Sequence, residues 1–176
     1  MKIGHSGKAA ILFGLGAMMI YLVMVLGTLR YLTDLAVVLP FDLRPTGYSP
    51  VDAAVLLEAL GEAGRQYYLT HQIPLDTLYP GLLALTLIST LRWRAARFGP
   101  TLMTRIGVPL AILAATFDYL ENLGIGLMLL VGAEPTLVQA ASTATMLKSA
   151  LTTAAMLAVV ATLASVLLRR MSRQRA

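Results

Sequence analysis

Charge in this chain is confined to short stretches between long apolar runs, and that patterning leaves few architectures open. Residues 9–29 contain no charged side chain. About 20 largely apolar residues suffice for a helix to cross ~30 Å of hydrocarbon. A water-soluble domain carries about 25% charged residues; here 13% are charged and 57% are hydrophobic. The combination excludes a disordered chain, a nucleic-acid-binding domain and an ordinary cytosolic enzyme. It predicts a polytopic membrane protein, all-α, built as a bundle of four transmembrane helices.

The spans are expected at residues 9–29, 73–92, 106–131 and 145–168, within a single integral membrane domain covering 1–176. Lys2 and Lys8 precede the first, as in a secretory signal, but the apolar run is too long for a signal core and no cleavage motif precedes Arg30. A retained signal-anchor helix is therefore predicted. The second span ends at Arg92-Trp93-Arg94, a basic and aromatic interface signature. Its uncharged stretch, residues 77–91, is too short to cross, so the helix must start near Pro74 and include Asp76. The third must carry Asp118 and Glu121, and the fourth stops at Arg169-Arg170.

Counting charges orients the chain. Ten of the fourteen basic residues lie in the N-terminus, the 92–105 connection and the C-terminus, where there is no acidic residue. The positive-inside rule then puts both termini in the cytoplasm of a cell inner membrane. The basic pI of about 9.8 is thus mainly a topology signal, with anionic head groups as a secondary attraction.

Residues 31–72 form the one large outside connection, too long to be structureless. Ser49-Pro50-Val51-Asp52 reads as a helix start, with Ser49 as N-cap, Pro50 at the first helical position and Asp52 closing a capping box. Val51, Val55, Leu56, Ala59, Leu60 and Ala63 follow at roughly helical spacing, and Glu62 can pair with Arg65. An amphipathic extracytoplasmic helix on the outer face is expected, with Gly61 and Gly64 as points of close packing or a break. A small cap that only shields helix ends is the alternative.

The ionisable residues within the spans carry most of the functional information. Asp118, Glu121 and Asn122 fall at i, i+3 and i+4 and share one helix face. An acid near the bilayer centre costs roughly 2.5–3.5 kcal/mol on the lenient insertion scale, so these must point inward and find partners. By helix rise, Asp76, Glu121, Asn122 and Lys148 share the outer third of the membrane, with Asp118 about one turn deeper. Lys148 is the counter-charge at that depth. Three acids against one lysine leave the cluster acid-rich, so at least one carboxyl is expected to be neutral. Pro80 lacks an N–H, which frees the Asp76 carbonyl next to Tyr79. His71 lies slightly further out and can contribute if the chain folds over the bundle.

Buried polar residues also serve as packing glue, worth about 0.6 kcal/mol each. That accounts for an Asn or a Thr better than for three acids and a lysine at one depth. Met residues in the spans read as gap-filling, and the stripe Ala150, Ala154, Ala158, Ala161 and the pair Gly14 and Gly16 as intramolecular packing surfaces. There is no Cys, no P-loop, no nucleophile elbow and no dinucleotide turn. No metal site and no cofactor is implied. His5 and His71 fall on opposite sides of the membrane, which argues against a bis-histidine haem. Lys148 is of the residue type that holds retinal, but four spans are too few for a rhodopsin. In general architecture, four spans with intramembrane acids, the chain is similar to small lipid-handling proteins such as the sterol-isomerase-related EXPERA group. No motif aligns residue by residue, and no role is carried over.

The leading expectation is a protein that binds an apolar or amphipathic ligand, of lipid or isoprenoid type, in an intramembrane pocket near the outer leaflet. Asp76, Asp118, Glu121, Asn122, Lys148, Tyr79 and His71 are the candidate binding residues. Two alternatives stand beside it: a membrane-embedded acid–base enzyme acting on a lipid or isoprenoid, and an accessory subunit of a larger complex with a structural polar cluster. Membrane lipids are the expected partners, with a homodimer or larger assembly open and nucleic acid excluded. A reporter that works only in the cytoplasm is expected to be active when fused after Arg97, and an export-dependent one silent. The reverse pattern would invert the topology.

Overall fold

The computed structural model describes residues 5–174. Lys2 and Arg175, which entered the charge count, lie outside them. The architecture is all-helical, with no strand among the described residues. Helix α1 (His5–Val23) runs through a π-helical turn (Met24–Thr28) into α2 (Leu29–Ala36). A short 3₁₀ turn (Phe41–Leu43) leads to α3 (Pro50–Tyr67), and a second π-helical turn (Tyr68–Gln72) joins α3 to α4 (Ile73–Phe98). Helices α5 (Leu102–Val131) and α6 (Pro135–Gln174) complete the chain. Four helical segments, Ser6–Ala36, Pro50–Phe98, Leu102–Val131 and Pro135–Leu168, are long and apolar enough to cross a membrane.

These helices outrun the stretches expected from hydropathy because their ends are set by caps and turns, not by the last apolar residue. Thr101 and Thr104 form a reciprocal capping box at the start of α5. Glu134 accepts from the Leu137 N–H at 2.9 Å, so α6 begins at Pro135, ten residues before the expected span. Those hydrogen bonds, led by the one from Thr136, hold the exposed Glu134 carboxyl below its usual range. Lys148 therefore lies well inside a helix. Gly99 and Gly132, both at positive φ, end α4 and α5.

α5 and α6 form the most extensive helix pair, α1 packs on α4, and α4 bridges to α5. Gly14 lies under Thr86 and Gly16 under Leu82, so both glycines of α1 serve contacts within the chain. On α6 the inward stripe includes Ala141, Ala144, Ala155 and Ala158. Ala150 and Ala161 of the expected stripe are exposed. The outward surfaces carry aliphatic side chains such as Leu12, Leu15, Leu26, Leu123, Leu157 and Leu167.

The connection between α2 and α4 is the main site of core formation. Phe41, Leu56, Leu57, Leu60 and Tyr68 pack with Ile125, Met128, Leu129 and Val138 across the acidic end of α5 and α6. Ser49 caps α3 through the expected box with Asp52, and Pro50 occupies its first turn. The hydrogen bonds from Ser49 hold the exposed Asp52 carboxyl below its ordinary range. The inward face of α3 is Ala53, Leu56, Leu57, Leu60 and Gly64. Val51, Val55, Ala59 and Ala63, expected on that face, are exposed instead. Their stripe is displaced around the helix because packing on α5 and α6 selects the face with the larger leucines. Gly61 breaks the helix at φ 58°, and Arg65 donates across the break to the Leu57 carbonyl at 3.0 Å, not to Glu62.

A Cβ on Gly124 would meet the Ala141 Cβ at 2.7 Å and the Ala141 Cα at 3.3 Å, with no flexible side chain to yield. Gly124→Ala should therefore lower stability by about 1–3 kcal/mol. Gly126→Ala, on the same helix with open space around it, should be neutral or stabilising by up to about 1 kcal/mol. Thermal unfolding in detergent measures both, and equal responses would refute this account of α5–α6 packing.

Candidate functional site

Helical periodicity assembles the centre of the polar cluster. Asp118 and Glu121 on α5 face Thr145 and Lys148 on α6, both pairs three residues apart. Lys148 Nζ lies 3.0 Å from Asp118 Oδ1 and forms a second ion pair with Glu121. Thr145 donates to the other Glu121 oxygen at 2.7 Å. Glu121 is fully buried, so its charge rests entirely on these partners. A buried carboxylate is tolerated only when so paired.

Asn122 works on the neighbouring helix. Its amide donates to the backbone oxygen of Asp76 at 2.8 Å. That is the carbonyl left without a helix partner by Pro80, so a side chain of α5 closes the gap in α4 and fixes where Asp76 sits. The Asp76 carboxyl is buried, and its Oδ2 meets no hydrogen-bond donor.

The connection supplies what the helices lack. Asp42, on the 3₁₀ turn, accepts from Tyr68 and, at 3.4 Å, from Gln72. Gln72 in turn accepts from Thr28 at 2.5 Å and donates to Met24 Sδ at 3.5 Å. The two π-helical turns thus meet directly, a departure from α geometry that recurs at functional sites. The turn is anchored on α6, where the Tyr48 N–H donates to Ser142 Oγ at 2.8 Å. Burial, with Glu121 nearby, raises the Tyr48 phenol far above its usual range and keeps it neutral.

These elements enclose a cavity of about 350 Å³. One wall is polar, with Asp42, Gln72, Asp76, Tyr79, Asp118 and Lys148 and the hydroxyls of Ser149, Thr152 and Thr153. The other is apolar, with Met24, Val25, Leu29 and Leu83 beside Tyr21. Tyr21 and Tyr79 pack ring to ring, centroids 5.9 Å apart, across the α1–α4 seam. Of the residues expected from sequence, Asp76, Tyr79, Asp118 and Lys148 line the cavity. Glu121 and Asn122 stand behind it and hold Lys148 and Asp76 in place. His71 does not join them. It is exposed, stacked on Tyr67 at 4.3 Å and in contact with Thr70 Oγ1 at 2.8 Å, because the π-helical turn rotates Gln72 inward in its stead.

Asp42 and Gln72 are the functional candidates that sequence reading missed. Asp42 sits between Pro40 and Pro45 in a stretch that reads as a plain turn, and nothing local shows that the turn folds onto the bundle. No protein family, no characterised protein and no solved structure matches this chain. Its chemistry therefore rests on the geometry. Lys148 is engaged by Asp118 and Glu121 through direct contact, whereas Asp42 and Asp76 line the cavity with no ion pair among the described residues. The wall can accept hydrogen bonds, hold a proton and attract a cation.

Lys148→Met should destabilise the protein by about 3–5 kcal/mol, because it strands two buried carboxylates. Adding Asp118→Asn and Glu121→Gln to the same chain should recover most of that loss. Thermal denaturation of the single and triple variants checks this, and an unrecovered triple variant would mean that Lys148 acts through something other than charge pairing.

Proposed function

We propose that this chain is a four-span protein of the cell inner membrane that binds an amphipathic ligand of lipid or isoprenoid type. The aliphatic outward surface of the four long helices supports insertion, since soluble proteins rarely expose apolar patches of that extent. The concentration of arginines at one end and acids at the other supports cytoplasmic termini. On that orientation the cavity opens toward the outer leaflet. The exposed Val51 and Val55 of α3 then suit a helix lying in the outer interface.

The observation that carries the binding reading is the two-sided cavity with an unsatisfied buried carboxylate oxygen on its polar wall. Ligand sites are concave, mostly apolar and fitted with a few polar groups that orient the ligand. At about 350 Å³ the space suits a head group and the first part of a chain. A hydrocarbon tail would follow the Leu29, Leu83 and Val25 side toward lipid, and the polar end would meet Asp76. Membrane lipids are the natural source of such a molecule.

A second reading is catalytic: the two carboxyls of the cavity, Asp42 and Asp76, could serve acid–base chemistry on the bound molecule. Native mass spectrometry of the detergent-purified protein separates the two. A retained lipid-sized mass is expected in the parent chain and should be lost in Leu83→Trp, which fills the apolar wall. Conversion of that mass during incubation would assign catalysis, and equal retention by both proteins would remove the cavity from the account.

A further inference from the structure

We propose that Arg94 anchors a second binding site, at the arginine-rich end of the bundle, for a phosphate group, carried by a lipid head group or free. The site lies about 27 Å along α4 from Asp76 by helix rise, and it does not depend on what the cavity there holds.

Three helices meet closely just before that end. A Cβ on Gly107 of α5 would lie 2.7 Å from Leu91 Cδ1 of α4 and 3.2 Å from the Ala158 Cβ of α6. One turn further toward the arginines, helical register brings up Arg94 on α4, Thr104 on α5 and Thr162 on α6. All three are buried, Arg94 completely. The Thr104 hydroxyl is spent on Thr101 in the cap of α5. That of Thr162 has no hydrogen-bond partner.

Arg94 is only partly used. Its Nη1 donates to the Gly99 carbonyl at the end of α4. Its Nε and Nη2 are buried and meet no acceptor among the described residues. These two nitrogens form the side edge of the guanidinium fork, whose parallel N–H groups match two oxygens of one oxyanion. A guanidinium cannot shed its proton to escape burial, and a buried charge without a partner is expensive. The chain offers no carboxylate at this end: residues 1–33, 77–117 and 135–176 contain no Asp or Glu. The neighbouring Arg92, Arg97 and Arg105 are exposed and add charge of the same sign. The missing oxyanion therefore comes from outside the chain. Gly99 and Thr104 flank the start of α5, and the positive end of a helix dipole favours phosphate. Phosphate is also the oxyanion that a membrane surface presents. The Phe98 ring lies over the guanidinium, its centroid 6.0 Å from the central carbon, and meets Trp93 edge-on. Half-buried at the end of α4, it is the side chain that turns aside to admit the ligand.

The test uses the full chain in maltoside micelles and the emission of Trp93, the one tryptophan of the sequence. The probes are dioctanoyl phosphatidic acid, dioctanoylglycerol, which lacks the phosphate, and inorganic phosphate. Tm is followed in parallel, because a ligand that binds only the folded chain raises it. Phosphatidic acid is expected to change the emission saturably and to raise the Tm more than dioctanoylglycerol, which can enter only the cavity. Inorganic phosphate that reproduces both effects supports the proposal with free phosphate as the source; phosphatidic acid alone supports it with a lipid head group. Arg94→Lys keeps the charge and loses the fork, and should weaken phosphate binding at least about tenfold. Arg92→Gln, at an exposed neighbour, should change it less than about twofold. Comparable losses in the two variants would mean a diffuse basic surface and overturn the site. So would equal responses to phosphatidic acid and dioctanoylglycerol, or no response to either phosphate probe in emission and Tm alike. The comparison of probes needs no variant, so it decides the matter even where Arg94→Lys fails to fold.

Discussion

The contact of Lys148 with two carboxylates of α5 is the interaction around which the acidic half of the molecule is organised. It ties the largest helix pair together in a buried interior where an unpaired charge is expensive, and removal of one partner from such a pair is strongly destabilising. It also decides which acids of the cavity remain unpaired. With Lys148 engaged by Asp118 and Glu121, Asp42 and Asp76 line the cavity without an ion pair among the described residues.

Asp76 is held in place by irregularities. Pro80 opens the α4 ladder, and Asn122 from α5 closes it through the freed carbonyl. A π-helical turn before α4 rotates Gln72 inward, and the matching turn between α1 and α2 offers Thr28 to meet it. Regular α-helices through both segments would put different side chains at the contact. The same connection buries Phe41 and Tyr68 in the core of the acidic end. One wall of the site is therefore built from the segment that also closes the bundle.

The helices were legible because their signal is strong and local. Apolar length predicted four long segments, and Ser49 with Asp52 announced the start of α3 through cap chemistry alone. Asp118, Glu121 and Lys148 could be brought together because the i, i+3 spacing on α5 and a shared depth leave few other pairings. The rest depended on tertiary packing. The face of α3 was misread because Val51 and Val55 fit helical spacing as well as Ala53 and Leu57 do, and only docking on α5 and α6 separates them. His71 was expected at the site and Gln72 was passed over, because a π-helical turn leaves no mark in the sequence that shifts the register by a residue. Asp42 was passed over because a turn between two prolines does not reveal what it folds against.

The central claim is that the cavity beside Asp76 is a site for the polar end of an amphiphile. An experimental structure of the protein purified from its own membrane, without added lipid, tests it most directly. The account predicts elongated non-protein density along Leu29 and Leu83, with its polar end about 3 Å from the Asp76 carboxyl. A collapsed cavity in which Asp76 Oδ2 is bonded to a donor from the protein itself would contradict it.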